Sequence, residues 1–353
     1  MSATNKKLVV ILGATGAQGF PTAKYLLQNS STLFRIRAVT RDRNKPTAKE
    51  LVALGAEVVE ADYDNEAPLA AALAGAHAVF AITNFWDKAS YDLEVAQGKL
   101  VNQLASQVPN LKSYIFSSLP DGRKSANGRF QNIIPYNAKA AIREDLYTYP
   151  ALASITTEIF VAFYYQNWVK YQAVFGPLKD DNGTFVLSMP YSPSTRFPST
   201  WADDTGVVVD SILRAGTKYY GKTVTLATEL SPQDDMLALW ANRIVPRSLV
   251  FRKPLKCSLR FADLGIKAVF KQVSAQEHQK RMSAGMPDHL AVAVTELCEN
   301  LYHGEKTFGD DKNLISARDA LQMPAKHKQI IPSSHKLKSW EEYVKEEDWS
   351  DIL

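Results

Sequence analysis

Directly after the first apolar run of the chain stands Gly13-Ala14-Thr15-Gly16-Ala17-Gln18-Gly19, followed by a helix-length segment carrying Phe20, Ala23, Leu26 and Leu27. Glycine permits a tight strand-to-helix turn with positive φ, lets backbone approach a pyrophosphate and lets helix and strand pack closely, while helix N-terminal amides favour phosphate. The placement of these glycines therefore points to a nucleotide-binding turn; the alternative is an ordinary βα turn. The second apolar run ends Ala38-Val39-Thr40-Arg41-Asp42-Arg43-Asn44-Lys45. NAD-binding folds place an acid here for the ribose 2′-hydroxyl. Arg41 stands in that place, with Arg43 and Lys45 behind it, so a 2′-phosphate is accommodated. Two charge-assisted hydrogen bonds of roughly 1.5 to 3 kcal/mol each correspond to an NADP preference on the order of a hundredfold to ten-thousandfold before desolvation. NADP(H) is the expected cofactor, tempered by Asp42 in the same loop.

Other strand ends supply further candidates. Asp62 and Tyr63 follow the third apolar run, where Asp62 either contacts adenine or caps the next helix. Thr83-Asn84-Phe85-Trp86 follows the fourth, at the carboxyl end where ligands of open sheets collect; its aromatic pair contacts ligand or packs a second lobe. Carbonyl reduction of the short-chain dehydrogenase type uses a Tyr and a Lys four residues later on one helix face, the lysine lowering the tyrosine's pKa. Here the segment reads Pro135-Tyr136-Asn137-Ala138-Lys139, a separation of three. Tyr136 is thus a weak proton-donor candidate or a packing residue. Lys139 either supports a ribose or a developing oxyanion, or is an ordinary surface lysine. Ser117 and Ser118, as strand neighbours, point to opposite faces, so at most one addresses the same pocket.

These residues need a scaffold that gathers strand ends. The runs 8–12, 35–39, 56–60, 78–82, 113–117 and 154–162 alternate with helix-length segments, which predicts an α/β, doubly wound parallel sheet of the Rossmann kind. Beyond Tyr165 the rhythm is lost and Gly and Pro become frequent. The expected organisation is a binding domain over 1–165 and a smaller α+β lobe over 166–353 for substrate or partner, with later segments able to return to the sheet. Within the second part, hairpins are expected first, then a helix from about Asp203 to Ala215, a strand KTVTLAT and a helix from about Pro232 to Arg243.

Composition excludes several classes. The chain has 353 residues, 46% hydrophobic and 22% charged, so disordered and low-complexity classes fall away. A net charge of +4 does not argue for nucleic-acid binding, although eight Lys/Arg against one acid between Trp240 and Lys271 form a basic stretch, read as a solvated face. Cys257 and Cys298 form neither a disulfide framework nor a metal-ligand cluster, so no metal is expected and a reducing compartment fits. The N-terminus shows no secretory pattern, and the uncharged stretch from Ala67 to Trp86 reads as a helix and a buried strand, so no membrane association is expected.

GATGAQG, VTRD, EVVEAD, TNFWD, EVAQGKL and FSSLPD together resemble the NmrA-like family of atypical short-chain dehydrogenases, and within it the HSCARG-type NADPH redox sensors. The resemblance runs from residue 6 to the Trp340 region. It implies NADP(H) held by Gly13 to Gln18, the Arg41 to Lys45 loop, Asp62, Tyr63, Thr83 to Phe85, Lys139, and Tyr164, Tyr165, Gln166 and Asn167. It also implies one of two roles in cytoplasm or nucleus: a redox sensor whose binding of a regulatory protein follows the cofactor, or an NADPH-dependent reductase of a small carbonyl, enone or quinone. Oligomerisation is compatible with either. The sensor relatives carry a lysine where this chain has Ala96, which removes a cation expected near the cofactor.

Overall fold

The computed structural model describes residues 6–243, 267–303, 314–316, 335–350 and 352. In chain order the first part forms β1 (Lys7–Ile11), α1 (Gly19–Asn29), β2 (Phe34–Thr40), α2 (Pro46–Ala53), β3 (Glu57–Glu60), α3 (Glu66–Leu73), β4 (Ala78–Ala81), α4 (Tyr91–Ser106), β5 (Ser113–Ser118), α5 (Ile134–Leu146) and β6 (Thr156–Val161). Later segments return to this sheet: α6 (Thr205–Ala215) lies against α1, β7 (Lys222–Leu226) pairs with β6, and β8 (Leu314–Ser316) pairs with β7. The order is β8-β7-β6-β5-β4-β1-β2-β3, with every pair parallel. The six expected strands are all present. KTVTLAT, read from sequence on the far side of residue 165, is a seventh, and Leu314–Ser316 was not foreseen.

Parallel strands covered on both faces read as continuous apolar runs, and alternate residues serve opposite layers. Val9 and Ile11 face α1 and α6, meeting Ala23, Leu26, Val207, Val208 and Ile212. Leu8, Val10 and Leu12 face the other way, toward Leu69, Val101, Leu104, Ile142 and Leu146 of α3, α4 and α5. Strand order reverses between β1 and β4, which opens a crevice at their carboxyl ends.

A second core lies outside the sheet. It is strongly aromatic: Tyr165, Trp168, Trp240, Trp340, Tyr343 and Trp349 are buried together, with the Trp168 and Trp340 rings 4.8 Å apart between centroids. Around it stand two three-stranded sheets, including an antiparallel pairing of Leu178–Lys179 with Phe185–Met189, and α7 (Gln233–Arg243), α8 (Ala275–Ser283), α9 (Asp288–His303) and α10 (Trp340–Glu346). The approach to α10 is fastened by buried Asp204, which accepts the Lys338 backbone N–H at 2.9 Å. Most of the basic stretch between Trp240 and Lys271 lies outside the described residues. No helix among the described residues is long and apolar enough to cross a membrane.

One close approach positions the helices beneath the crevice. A Cβ added at Gly98 of α4 would lie 2.4 Å from Ile142 Cδ1 and 2.5 Å from its Cγ1, so α4 and α5 meet almost backbone to side chain. Gly98→Ala is expected to lower the unfolding free energy by about 1–3 kcal/mol through overpacking. Ile142→Val, which removes the nearest colliding atom, should recover part of that loss in the Gly98→Ala background while costing stability alone. Urea denaturation of the four proteins measures both effects; strictly additive losses would contradict the contact.

Candidate functional site

The crevice is a cavity of about 1070 Å³ along the carboxyl ends of β1, β2, β4, β5 and β6, at the upper end of ordinary small-molecule pockets, roughly 300–1,000 Å³. Its floor at one end is the glycine turn. Gly13 has φ +63°, and a Cβ on Gly19 would sit 2.2 Å from the Gly13 carbonyl oxygen, so only glycine at 19 lets α1 begin this close to β1. Gly16 donates its amide to Gly13 O at 2.9 Å and Phe20 to Gly16 O at 3.0 Å. The amides of Ala17, Gln18 and Gly19 meet no protein acceptor among the described residues, and Gln18 does not cap the helix with its side chain. Unfilled amides at a helix N-terminus form an anion site.

The Gln18 side chain acts elsewhere. Its Oε1 accepts from Ser117 Oγ at 2.8 Å, and its Nε2 donates to the Tyr164 hydroxyl at 2.5 Å. One amide thereby joins the ends of β1 and β5 to the segment after β6. Ser118 also borders the cavity, but its Oγ is buried without a partner among the described residues. Ala14 is buried, with its amide on Val39 O, and does not line the cavity. Thr15 does, with its Oγ1 3.1 Å from that of Thr40.

At the end of β2, Arg41 and Lys45 line the cavity, whereas Asp42, Arg43 and Asn44 do not. The Asp42 carboxylate accepts the Asn44 amide at 2.8 Å inside its own turn. Arg41 is engaged: its Nη1 and Nη2 donate to the two carboxylate oxygens of Asp87 at 2.5 and 2.7 Å. Beside that guanidinium the Asp87 carboxyl falls below its ordinary range. Asp62 lines the cavity, and the N-cap of α3 is Asn65 rather than Asp62. Tyr63 donates to Ile82 O at 2.7 Å, and burial pushes its phenol well above the usual value.

Lys139 is a buried lysine held against the end of β4. Its ammonium donates to Thr83 O at 2.7 Å and to Thr83 Oγ1, and lies 3.0 Å from Glu94 Oε1. Thr83 Oγ1 in turn donates to Glu94 Oε1 at 2.8 Å. A lysine has three N–H donors; two of them bond Thr83, and Glu94 contributes an ion-pair contact. These contacts anchor the end of β4, and Lys139 also lines the cavity in which sequence placed it as a donor to a ligand. Surface exposure, the other expectation, is overturned by burial. Glu94, a residue sequence reasoning missed, supplies the counter-charge. Ala96 is exposed on α4 and does not line the cavity.

Tyr136 lies in the first turn of α5, three residues before Lys139, and borders the cavity. Burial, with Tyr164 nearby, pushes its phenol well above the ordinary value, the opposite of the lowering a Tyr-Lys pair produces. Asn84, Phe85, Tyr164, Gln166 and Asn167 line the cavity. Gln166 also accepts the Ala202 amide and donates to Asp203, both near 3 Å. Tyr165, the first residue of the turn after the short strand Phe163–Tyr164, points the other way, into the aromatic core against Trp340 and Tyr343. Phe163, Phe175, Met286, Leu290, Val294 and Leu297 give the same cavity an apolar share of its wall. Among the described residues no cluster of ligating side chains is arranged for a metal.

A doubly wound parallel sheet with a glycine turn and open helix amides at its switch point defines an α/β protein of the Rossmann class. The NmrA-like family model matches residues 5–343, and the chain belongs to that family. Among its relatives, the NmrA-like family domain-containing oxidoreductase notA' of Aspergillus versicolor is 31% identical over 256 residues, 67% of this chain and 69% of that protein. The corresponding oxidoreductase cpsB of Aspergillus campestris is 30% identical over 64% of this chain and 70% of its own. Similar solved structures include Nmra, a negative transcriptional regulator, in complex with NADP, with TM-score 0.69, 18% identity, and 97% of this chain and 95% of that one covered. The NADPH-dependent quinone oxidoreductase QOR2 of Escherichia coli, complexed with NADPH, has TM-score 0.65, 19% identity and coverage of 95% and 98%.

The buried ring yields a stability prediction. Lys139→Met or Glu94→Leu alone leaves a charge without its partner and is expected to cost about 3–5 kcal/mol, whereas the double replacement should cost much less than the sum. Chemical denaturation of both single variants and the double variant tests this; additive costs would show that the two charges do not interact.

Proposed function

We propose that the protein binds NADP(H) and reduces a small, largely apolar carbonyl, enone or quinone. The observation that carries this reading is the apolar share of the cavity lining, Phe163, Phe175 and the α9 residues Leu290, Val294 and Leu297. A binding site for the dinucleotide alone has no need of so many apolar side chains. The donor set fits the cofactor: the open amides of residues 17–19 suit a pyrophosphate, and Arg41 and Lys45 suit a further phosphate on the adenosine ribose. The relatives named as oxidoreductases and the neighbouring NADPH-dependent quinone oxidoreductase support the same reading.

When bound, the reduced nicotinamide supplies hydride. The chain's own residues then have limited, definable tasks. The Lys139–Glu94–Thr83 ring holds the end of β4 rigid beside the reacting region, and Gln18 fixes Tyr164 on the opposite wall. Tyr136, kept protonated by burial, is able to donate a hydrogen bond to a substrate oxygen, while water or the substrate provides the proton. The apolar side chains of the wall exclude bulk water and favour substrates with little charge.

A second reading, a regulator whose protein partner is gained or lost with the cofactor, is favoured by the same facts from another side. Burial raises the Tyr136 phenol where a catalytic pair would lower it, and Lys139 is already engaged with Thr83 and Glu94. Two measurements separate the readings. Saturating NADPH should raise the melting temperature, with a stabilisation of about 2.7 kcal/mol at a hundredfold excess over Kd, and NAD should do less at equal concentration. NADPH consumption, followed at the nicotinamide absorbance band, should then appear with at least one of a panel of quinones, enones and aldehydes. Intact binding with silence across the panel, and a pull-down that responds to NADPH, would select the regulator.

A further inference from the structure

The ion pair between Arg41 and Asp87 has a consequence for cofactor choice. Arg41 closes β2, and Asp87 stands in the short turn after β4, across the mouth of the cavity. Asp87 takes both terminal nitrogens of the guanidinium, one on each carboxylate oxygen, at 2.5 and 2.7 Å. Asp87 thereby fills the end-on edge of the guanidinium, one of the two edges a phosphate could use, and leaves only the Nε edge. A phosphate brought to Arg41 also meets the negative charge of Asp87 at close range, so the two anions exclude each other.

Resting on the reading of this cavity as an NADP(H) site, we propose that Asp87 is a built-in competitor for the 2′-phosphate and sets how strongly the protein distinguishes NADP from NAD. The pair is exchangeable because it is exposed: the Arg41 and Asp87 side chains are 46% and 28% accessible, and ion pairs in such positions are weak. A buried pair, such as Lys139–Glu94 in the same cavity, is a poor exchange partner because opening it strands a charge away from water. NAD, with a hydroxyl at the same ribose position, has no phosphate to place on Arg41 and leaves the pair closed. The competitor therefore weakens binding of the 2′-phosphorylated cofactor only.

The test is calorimetric titration of wild type and Asp87→Asn with NADP, NAD, 2′,5′-ADP and 5′-AMP, the last two reporting the adenosine end alone. Asp87→Asn is expected to tighten NADP and 2′,5′-ADP by about 1.5- to fivefold, the range of an exposed pair, with NAD and 5′-AMP unchanged. In an Arg41→Gln background the same substitution should have no effect, and added salt should shrink the gain. Asp87→Ala should behave as Asp87→Asn, which guards against a new contact made by the amide; thermal melts without ligand confirm that each variant is folded. Wild type that binds both phosphorylated and unphosphorylated ligands, with Asp87→Asn leaving their ratio unchanged or lowering it, overturns the role of Asp87 alone. Wild type that binds none of the four ligands overturns the reading of the cavity and this inference with it.

Discussion

The site depends on how closely α1 is allowed to approach β1. The Gly13 carbonyl oxygen fills the space in which any side chain at position 19 would stand, 2.2 Å from an added Cβ. Because that approach is possible, α1 starts at the switch point of the sheet with the amides of residues 17–19 unpaired, and only from Phe20 does the ladder close back on the turn. The same geometry leaves the Gln18 side chain free to bridge Ser117 and Tyr164. At the far side of α1 a second close contact continues the chain of constraint: Gly206 of α6 faces Pro21 O and Tyr25, where an added Cβ would lie 2.9 Å and 2.7 Å away. Turn, helix and its neighbour are thus set by backbone proximity, which hydrophobic burial alone would not specify.

Two ion pairs in one cavity show how burial changes the meaning of the same chemistry. Lys139 and Glu94 are 9% and 1% accessible, share Thr83 between them and hold the end of β4. Separating them would leave a charge without solvent, so the ring is a fixture. Arg41 and Asp87 are in contact with water and join two loops rather than two core elements, so their attachment is reversible at small cost. A rigid inner end and an exchangeable outer end match a ligand that enters from the β2 and β4 loops. The lysine of the inner pair has its charge matched by Glu94 and two donors on Thr83, which fixes where its ammonium stands in the cavity wall.

The α/β class and the strand positions were legible in the sequence because parallel strands buried on both faces must be apolar throughout, as Leu8–Leu12 and residues 78–82 are. The glycine turn was legible for a related reason: backbone crowding leaves a residue-type signature at 13, 16 and 19. Arg41 and Lys45 could be placed from their order after a strand. The neighbouring residues could not be sorted in the same way. Asp42, Arg43 and Asn44 share the loop but turn from the cavity, and Tyr165 departs from Tyr164 by pointing into the aromatic core.

Tertiary structure alone decided the partners. Glu94 reaches Lys139 across 45 positions and Asp87 reaches Arg41 across 46; nothing local marks either acid, since a carboxylate's role is set by whatever charge the fold brings opposite it. The same holds for KTVTLAT, whose pattern announces a strand but whose place beside β6 is fixed by register and by the covering of α6. Local steric and hydrophobic demands are written in residue type and period, so they can be read one segment at a time. Pairing between distant charges and strands leaves no such local mark, because many partners would satisfy each group and only the folded chain selects among them.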